Sequence, residues 1–222
     1  MLIVVPTLLE AKLLFQSQNL DHLEFGQVVK LKEYDGAYIS LIGFGPVNAG
    51  VHSAIALQNY QSKTSSEDRF SLLIGIAGAY DIKKHPVGKA FLARQVALDG
   101  VGVGMGELHK SSLSLGWENV SEAWQNVDMK HELLAEQGAN VLTVCSASAN
   151  TRETSLRKKS FPEAELEEME AAPFALACRA NMVPFGVIRG VSNAVGQQDK
   201  SSWNIPGALL AAKQLLQSFL FE

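Results

Sequence analysis

Three clusters in this 222-residue chain hold residue types that could do chemistry together. Near the amino terminus, Glu10 follows Pro6-Thr7-Leu8-Leu9. A carboxylate there suits a general base, and it equally suits a favourable charge at the start of a helix. In the last third, Glu167-Glu168-Met169-Glu170 sets three carboxylates around a methionine, ahead of Ala171-Ala172-Pro173. A solvated acidic helix start would explain the charges but not the methionine among them. Arg189-Gly190-Val191-Ser192-Asn193 then ends an apolar run with polar groups, and Trp203 brings back a large aromatic before the final helix. Together these groups suit a site for a sugar carrying a flat base.

Such residues are useful only if the chain brings them together. Apolar runs at Leu2–Pro6, Tyr38–Ile42, Leu72–Ile76, Ala90–Ala97, Val141–Cys145 and Pro184–Arg189 read as buried strands. Leu8–Phe15, the stretch carrying Val47, Val51 and Ile55 at spacing four, Met169–Ala180 and Ala208–Phe219 read as helices, with Pro173 and Pro206 in first turns. Strands apolar on both faces, alternating with helices, predict an α/β fold. The expectation is one three-layer domain over 1–222, with a mostly parallel mixed sheet and helices on both faces.

Ligands of such sheets lie beyond the carboxyl ends of strands. Glu10 stands there after the first strand, and Gly43-Phe44-Gly45-Pro46-Val47-Asn48 after the second. The third ends at Gly75-Ile76-Ala77-Gly78, where small side chains let a flat ligand lie against main chain, although packing explains them equally. The glycine pattern at 43–48 is incomplete as a dinucleotide fingerprint and fits a tight turn into a helix. Gly100 to Gly106 reads as a strand end needing close backbone approach, and 104–128 as a long excursion off the sheet.

Composition removes several function classes. Nineteen Lys and Arg against 23 Asp and Glu give a net charge of −4 and a pI near 5.8, so a nucleic-acid partner is not expected. Hydrophobic residues make up 47%, enough for a full core. The opening run Met1-Leu2-Ile3-Val4-Val5 lacks a preceding cation and meets Glu10 and Lys12 too soon for a signal or a membrane span. Cys145 and Cys178 are expected as reduced core residues, and the location as cytoplasmic. His22, His52, His85, His109 and His131 share no ligand spacing and read as structural or exposed, so neither a metal nor a cofactor is expected.

The segments Phe161-Pro162, Glu168-Met169-Glu170-Ala171-Ala172 and Arg189-Gly190-Val191-Ser192-Asn193 resemble the purine nucleosidase/phosphorylase superfamily. The resemblance is to its branch of methylthioadenosine/S-adenosylhomocysteine nucleosidases and futalosine hydrolases. It runs over nearly the whole chain, with Glu10, Gly43 to Ala49 and Gly75 to Gly78 in family order, and Asn193 and Trp203 resemble the futalosine hydrolases in particular. It implies a nucleoside phosphorylase-like fold, a homodimer with Trp117 and Trp124 as candidate interface aromatics, and a small-molecule nucleoside substrate. The implied reaction splits an N-ribosidic bond, with hypoxanthine as the leaving base in a menaquinone pathway.

The resemblance also assigns roles. Glu10 is the base that activates water, and Ala77 and Gly78 offer main chain beside the purine. Met169 and Glu170 hold the ribose, with Glu168 close by in the same turn. Asn193 stands where adenine-specific enzymes have an aspartate, and Trp203 lines the pocket near the 5′ substituent. An amide at 193 offers NH₂ donors, which suit the N7 and O6 acceptors of a 6-oxopurine. Asp199 is a further candidate for the acid role. The alternatives are an adenine-specific nucleosidase, a purine nucleoside phosphorylase and a non-catalytic nucleoside binder. Against a phosphorylase, the chain has six arginines, of which Arg69 and Arg94 alone lie before residue 150, and Ile76 has no hydroxyl for a phosphate.

Overall fold

The computed structural model describes residues 1–65, 69–112, 114–117, 124–128 and 137–221. The sheet begins with β1 (Leu2–Val5), buried along its whole length because both faces are covered. Its alternate side chains diverge. Leu2 and Val4 pack with α2 (Pro46–Gln61) and α4 (Ala171–Ala180), whereas Ile3 and Val5 pack with α1 (Leu8–Leu14) and α5 (Ile205–Phe221). Period-two alternation inside a continuous apolar run therefore feeds two cores at once.

The other strands are β2 (Val29–Lys30), β3 (Tyr38–Leu41), β4 (Ser71–Ala79), β5 (Ala90–Leu98), β6 (Gly102–Val103), β7 (Lys110–Ser111), β8 (Gln125–Asn126), β9 (Gly138–Thr143), β10 (Leu166–Glu168) and β11 (Phe185–Ala194). Helix α3 spans Thr151–Ser160. The main sheet runs β10-β9-β5-β11-β4-β1-β3-β2, and β8 adds to β5. Pairs β1–β3, β1–β4, β4–β11, β5–β9 and β9–β10 are parallel, while β5–β11 and β2–β3 are antiparallel. The sheet is thus mixed and mostly parallel, with helices on both faces, as the alternation of runs predicts.

Strand β10 also pairs with β4, through Leu166 opposite Ala79 and Glu167 opposite Gly78. That second pairing closes β4, β11, β5, β9 and β10 into a ring. The pairing is antiparallel, so the carboxyl end of β4 meets the start of β10, and most of the site residues named below stand at or near strand ends on this rim.

Several boundaries differ from the sequence expectation. Strand β4 runs through Ala77 and Gly78 instead of stopping at Ile76, and β11 continues past Arg189 to Ala194. Strand β9 starts at Gly138 and stops two residues before Cys145. Glu167 and Glu168 lie on a strand, not at a helix start, and α4 opens at Ala171. Helix α3 has no buried residue and hence no apolar stripe by which to anticipate it. Within 104–128, β7 pairs with β6 just before it as a separate hairpin, whereas β8 returns to the main sheet. Residues 113 and 118–123 of that segment, and His131, lie outside the described residues. Close approach at the glycines is found at Gly102, where a Cβ would collide with the Lys110 carbonyl oxygen.

Candidate active site

A cavity of about 570 Å³ opens where the carboxyl ends of β1, β4, β9, β10 and β11 converge. Glu10, Ala77, Gly78, Glu168, Met169, Glu170, Asn193 and Trp203 all line it. Residues far apart in the chain therefore meet because their strands end together.

Glu10 comes first in the chain. Thr7 caps α1, its hydroxyl oxygen accepting from the Glu10 amide at 3.3 Å, and the same hydroxyl donates to Glu10 Oε2 at 2.6 Å. Ile76 N–H donates to Oε1 at 3.2 Å, which ties the carboxylate to β4. Each oxygen accepts one hydrogen bond and keeps capacity toward the cavity. Burial pushes the Glu10 carboxyl above its ordinary value, against the opposing pull of the Thr7 hydroxyl, the Arg189 charge and the Ile76 amide.

Arg189, fully buried on β11, is the hub. Its Nη2 donates to Glu168 Oε2 and lies 3.3 Å from Glu170 Oε2. Gly75 lets the guanidinium in: a Cβ there would collide with Arg189 Nη1 and stand 3.0 Å from Glu10 Oε1. Glu170 Oε1 accepts from Gly45 N–H at 3.1 Å. Gly45 reaches that position with a φ of 84°, a left-handed conformation that glycine adopts freely. Burial, together with the neighbouring Glu168 and Glu10 charges, raises the Glu170 carboxyl to about 7 in spite of Arg189.

Glu168, expected close to the ribose contacts in the same turn, lines the cavity but has its oxygens engaged by the protein. Its two oxygens accept from Thr143 Oγ1, Arg189, and the amides of Glu170 and Ala171, the last at 2.9 Å. The carboxylate anchors the amino end of α4 and balances Arg189, leaving little capacity for a ligand. Met169 projects into the wall and packs with Ala97, Leu142, Val144 and Ala164.

Asn193 owes its aim to a bulge. Val191 pairs with Ala77 but Asn193 with Gly78, so Ser192 is the extra residue on β11. Ser192 Oγ lies 2.7 Å from Asn193 Oδ1 and donates to it, while Nδ2 donates to the Ala194 carbonyl at 2.8 Å. One amide proton is thus committed, and one remains for the cavity rather than two. Gly78 sits between Asn193 on β11 and Glu167 on β10, and a Cβ on it would come within 3.3 Å of Asn193 Nδ2.

Trp203 follows a short 3₁₀ turn at 200–202, donates to the Gln197 carbonyl at 3.1 Å and lies beneath Lys200. Asp199 does not fit the acid role. It is exposed, caps that turn through Ser201, and is held below its ordinary pKa by the Ser201 hydroxyl and amide, so it stays ionised at neutral pH. Cys145 is likewise not a core residue: it is exposed and lines the cavity, whereas Cys178 is buried. Trp124 packs edge-on against Phe161, and Trp117 is about half exposed at 52%. Sequence reasoning missed Arg189 as the hub, because its partners lie about 20 residues upstream and nothing local to β11 marks them.

The chain belongs to the phosphorylase superfamily, whose family model matches residues 1–220. Within that class it belongs to the futalosine hydrolase family. It is 31% identical to the futalosine hydrolase of Thermus thermophilus over 81% of this chain and 79% of that one. Identity to the futalosine hydrolase of Streptomyces coelicolor is 28%, over 80% and 75% of the two chains. In fold, the protein is similar to the solved futalosine hydrolase of Helicobacter pylori, with a TM-score of 0.74, 15% identity, and 99% and 96% of the chains covered. It is equally similar to the methylthioadenosine/S-adenosylhomocysteine nucleosidase of Neisseria meningitidis, with a TM-score of 0.74, 20% identity, and 99% and 97% covered. The chain is an N-ribosyl hydrolase by family.

Proposed function

We propose that this protein hydrolyses futalosine at its N-ribosidic bond, releasing hypoxanthine and the dehypoxanthinyl remainder. The observation that carries the reading is the Glu10 carboxylate, held by Thr7 and Ile76 in the wall of a cavity that also presents Glu170 and Asn193.

The reaction passes through an oxocarbenium-like sugar, as in glycoside cleavage. Glu10 takes a proton from water as the water oxygen bonds to the anomeric carbon; the electron pair of the breaking bond leaves with the purine as its anion, which accepts from the Asn193 amide and then takes a proton from solvent. Burial makes Glu10 a stronger base than an exposed carboxylate. Glu170, steadied by Gly45 N–H and Arg189, accepts hydrogen bonds from the ribose hydroxyls and sets negative charge near the developing cation. Glu168 acts through Arg189, keeping the guanidinium between the two carboxylates.

Asn193 reads the base. With Oδ1 occupied by the Ser192 hydroxyl, the amide turns its remaining donor toward the ligand, which suits the O6 acceptor of a 6-oxopurine and not the 6-amino donor of adenine. Ala77 and Gly78 let the base lie close to main chain, Met169 covers the ribose, and Trp203 covers the 5′ substituent. Water rather than phosphate is the nucleophile: Lys200 is the one cationic side chain among the described lining residues, and Arg189 lies behind the lining with its Nη2 on two carboxylates.

We place the enzyme in the cytoplasm as a homodimer. Both cysteines are free thiols, as in a reducing compartment, and no helix of the described residues is long and apolar enough to cross a membrane. The uncharged helix α2 exposes Val47, Val51 and Ile55 on one stripe, continuous in sequence with the exposed Phe44 at the cavity, which is the surface a second copy would cover.

The test is base release from futalosine, methylthioadenosine and inosine, each with and without phosphate. Hypoxanthine from futalosine, indifferent to phosphate, is the expected result. Adenine from methylthioadenosine alone would overturn the Asn193 argument, and release from inosine that requires phosphate would overturn hydrolysis.

A further inference from the structure

A second polar cluster stands beside the cavity, and the reaction does not use it. Arg157 projects inward from α3 with its side chain 18% exposed. Its Nε donates to Asp99 Oδ2 at 2.8 Å, and its Nη1 to Ser148 Oγ at 2.6 Å and Glu167 Oε2 at 3.2 Å. Nη2 donates to the Ser146 carbonyl at 3.0 Å. Glu167 completes the cluster by accepting from Tyr80 OH at 2.6 Å and from the Ser148 amide at 2.7 Å.

These contacts converge on the segment between β9 and α3, residues 145–148, which forms one wall of the cavity. Apolar burial does not hold that wall, because α3 buries no residue and is rich in charge. The amino end of α3 also leans on the opposite lip. A Cβ on Gly196 would stand 2.8 Å from Thr154 Oγ1, and Gly196 itself lines the cavity. One guanidinium therefore fastens to the ring a strap that touches two parts of the rim.

We propose that Arg157 is a positioning residue for nucleoside recognition: latched to Glu167 and Asp99, it fixes residues 145–148 as a wall of the cavity, so that binding of the base depends on it while the hydrolytic step does not. The inference rests on the nucleosidase reading of the cavity. Without the latch, the strap opens locally and the core strands stay folded, since they do not depend on it for burial.

The test compares Arg157→Ala and Arg157→Lys with the parent protein. Lysine keeps the charge beside Asp99 and Glu167 but loses the fork to Ser146 and Ser148, so it serves even if alanine fails to fold. The expected result in either variant is a KM for futalosine and a Kd for hypoxanthine raised about tenfold, larger in alanine than in lysine, with kcat within about threefold. Amide hydrogen exchange should quicken across 145–160 and remain slow in β4 and β11. An unchanged KM and Kd, or a fall in kcat at constant KM, would overturn the proposal. So would faster exchange throughout the sheet, which marks a merely structural residue. If the parent protein releases no base from futalosine, the reaction reading falls by itself, and exchange then decides the latch: unchanged protection over 145–160 in Arg157→Lys overturns it.

Discussion

Replacing Glu10 by glutamine separates chemistry from architecture in this site. The amide is isosteric with the carboxylate. Its oxygen can keep the Ile76 N–H and its NH₂ can donate to the Thr7 hydroxyl, which is able to accept. The fold should therefore survive, while the base is gone. General-base assistance is worth ~10²–10⁴-fold, so turnover should fall by that factor, equivalent to about 2.7–5.4 kcal/mol of barrier. Stability should move the other way. The raised Glu10 carboxyl means that the folded state disfavours its charge, and three buried carboxylates share the single Arg189. A group with a raised folded-state pKa contributes stability at low pH and loses it as the pH rises through that value. The Gln variant should thus melt at or above the parent temperature at pH 8, with the gap closing toward pH 4. The assay pairs hypoxanthine release with thermal melting at both pH values and a titration of hypoxanthine binding. Retention of more than a tenth of the activity would refute Glu10 as the base. Loss of activity together with a lower melting temperature would refute the electrostatic argument.

Asn193→Asp should shift preference toward 6-aminopurine nucleosides, since a carboxylate accepts where the amide donated. A change of roughly tenfold in the ratio of kcat/KM for methylthioadenosine over futalosine is expected, from the ~1–3 kcal/mol cost of a mispaired polar group, and steady-state kinetics on both substrates check it. Gly75→Ala should drive a methyl into the guanidinium of Arg189, costing ~1–3 kcal/mol of stability and most of the activity, as read by melting and turnover. The kcat/KM profile should rise with pH along an acid limb whose midpoint lies above 4.5, because Glu10 and Glu170, both raised by burial, must be ionised to act; a midpoint at or below that value would contradict that burial. Val51→Asp on α2 should yield monomers by light scattering if the apolar stripe is the dimer contact, and an unchanged mass would exclude that stripe.

Much of the site is legible in the sequence, because its chemistry-bearing residues cluster at strand ends. Glu10 sits just past a run buried on both faces, and Gly75 to Gly78 and Asn193 end such runs, so periodicity and topology place them at one rim. Strand β10 escapes detection since three residues are too few for a period, and two of them are acidic. Glu167 and Glu168 look solvent-bound until their donors are known, and those donors, Tyr80, Arg157, Thr143 and Arg189, come from other elements. The same blindness made Glu168 a substrate contact instead of an anchor. Asp199 misled through sequence proximity to Asn193, whereas its carboxylate serves its own turn.

The double pairing of β10 has a consequence for how the protein becomes active. Its three residues bridge β9 and β4, so the loop in the strand order is sealed by the shortest member, through contacts between residues nearly 90 positions apart. The seam joins two strands that are also connected the long way round, through β11 and β5. Until that seam forms, Glu168 has no seat from which to meet Arg189, and α4 lacks its anchor. Catalytic competence therefore requires this seam, and a chain that collapses without sealing the ring is compact but inert. On heating, the same seam should be the shared point of failure, so that inactivation and loss of the sheet occur in one transition.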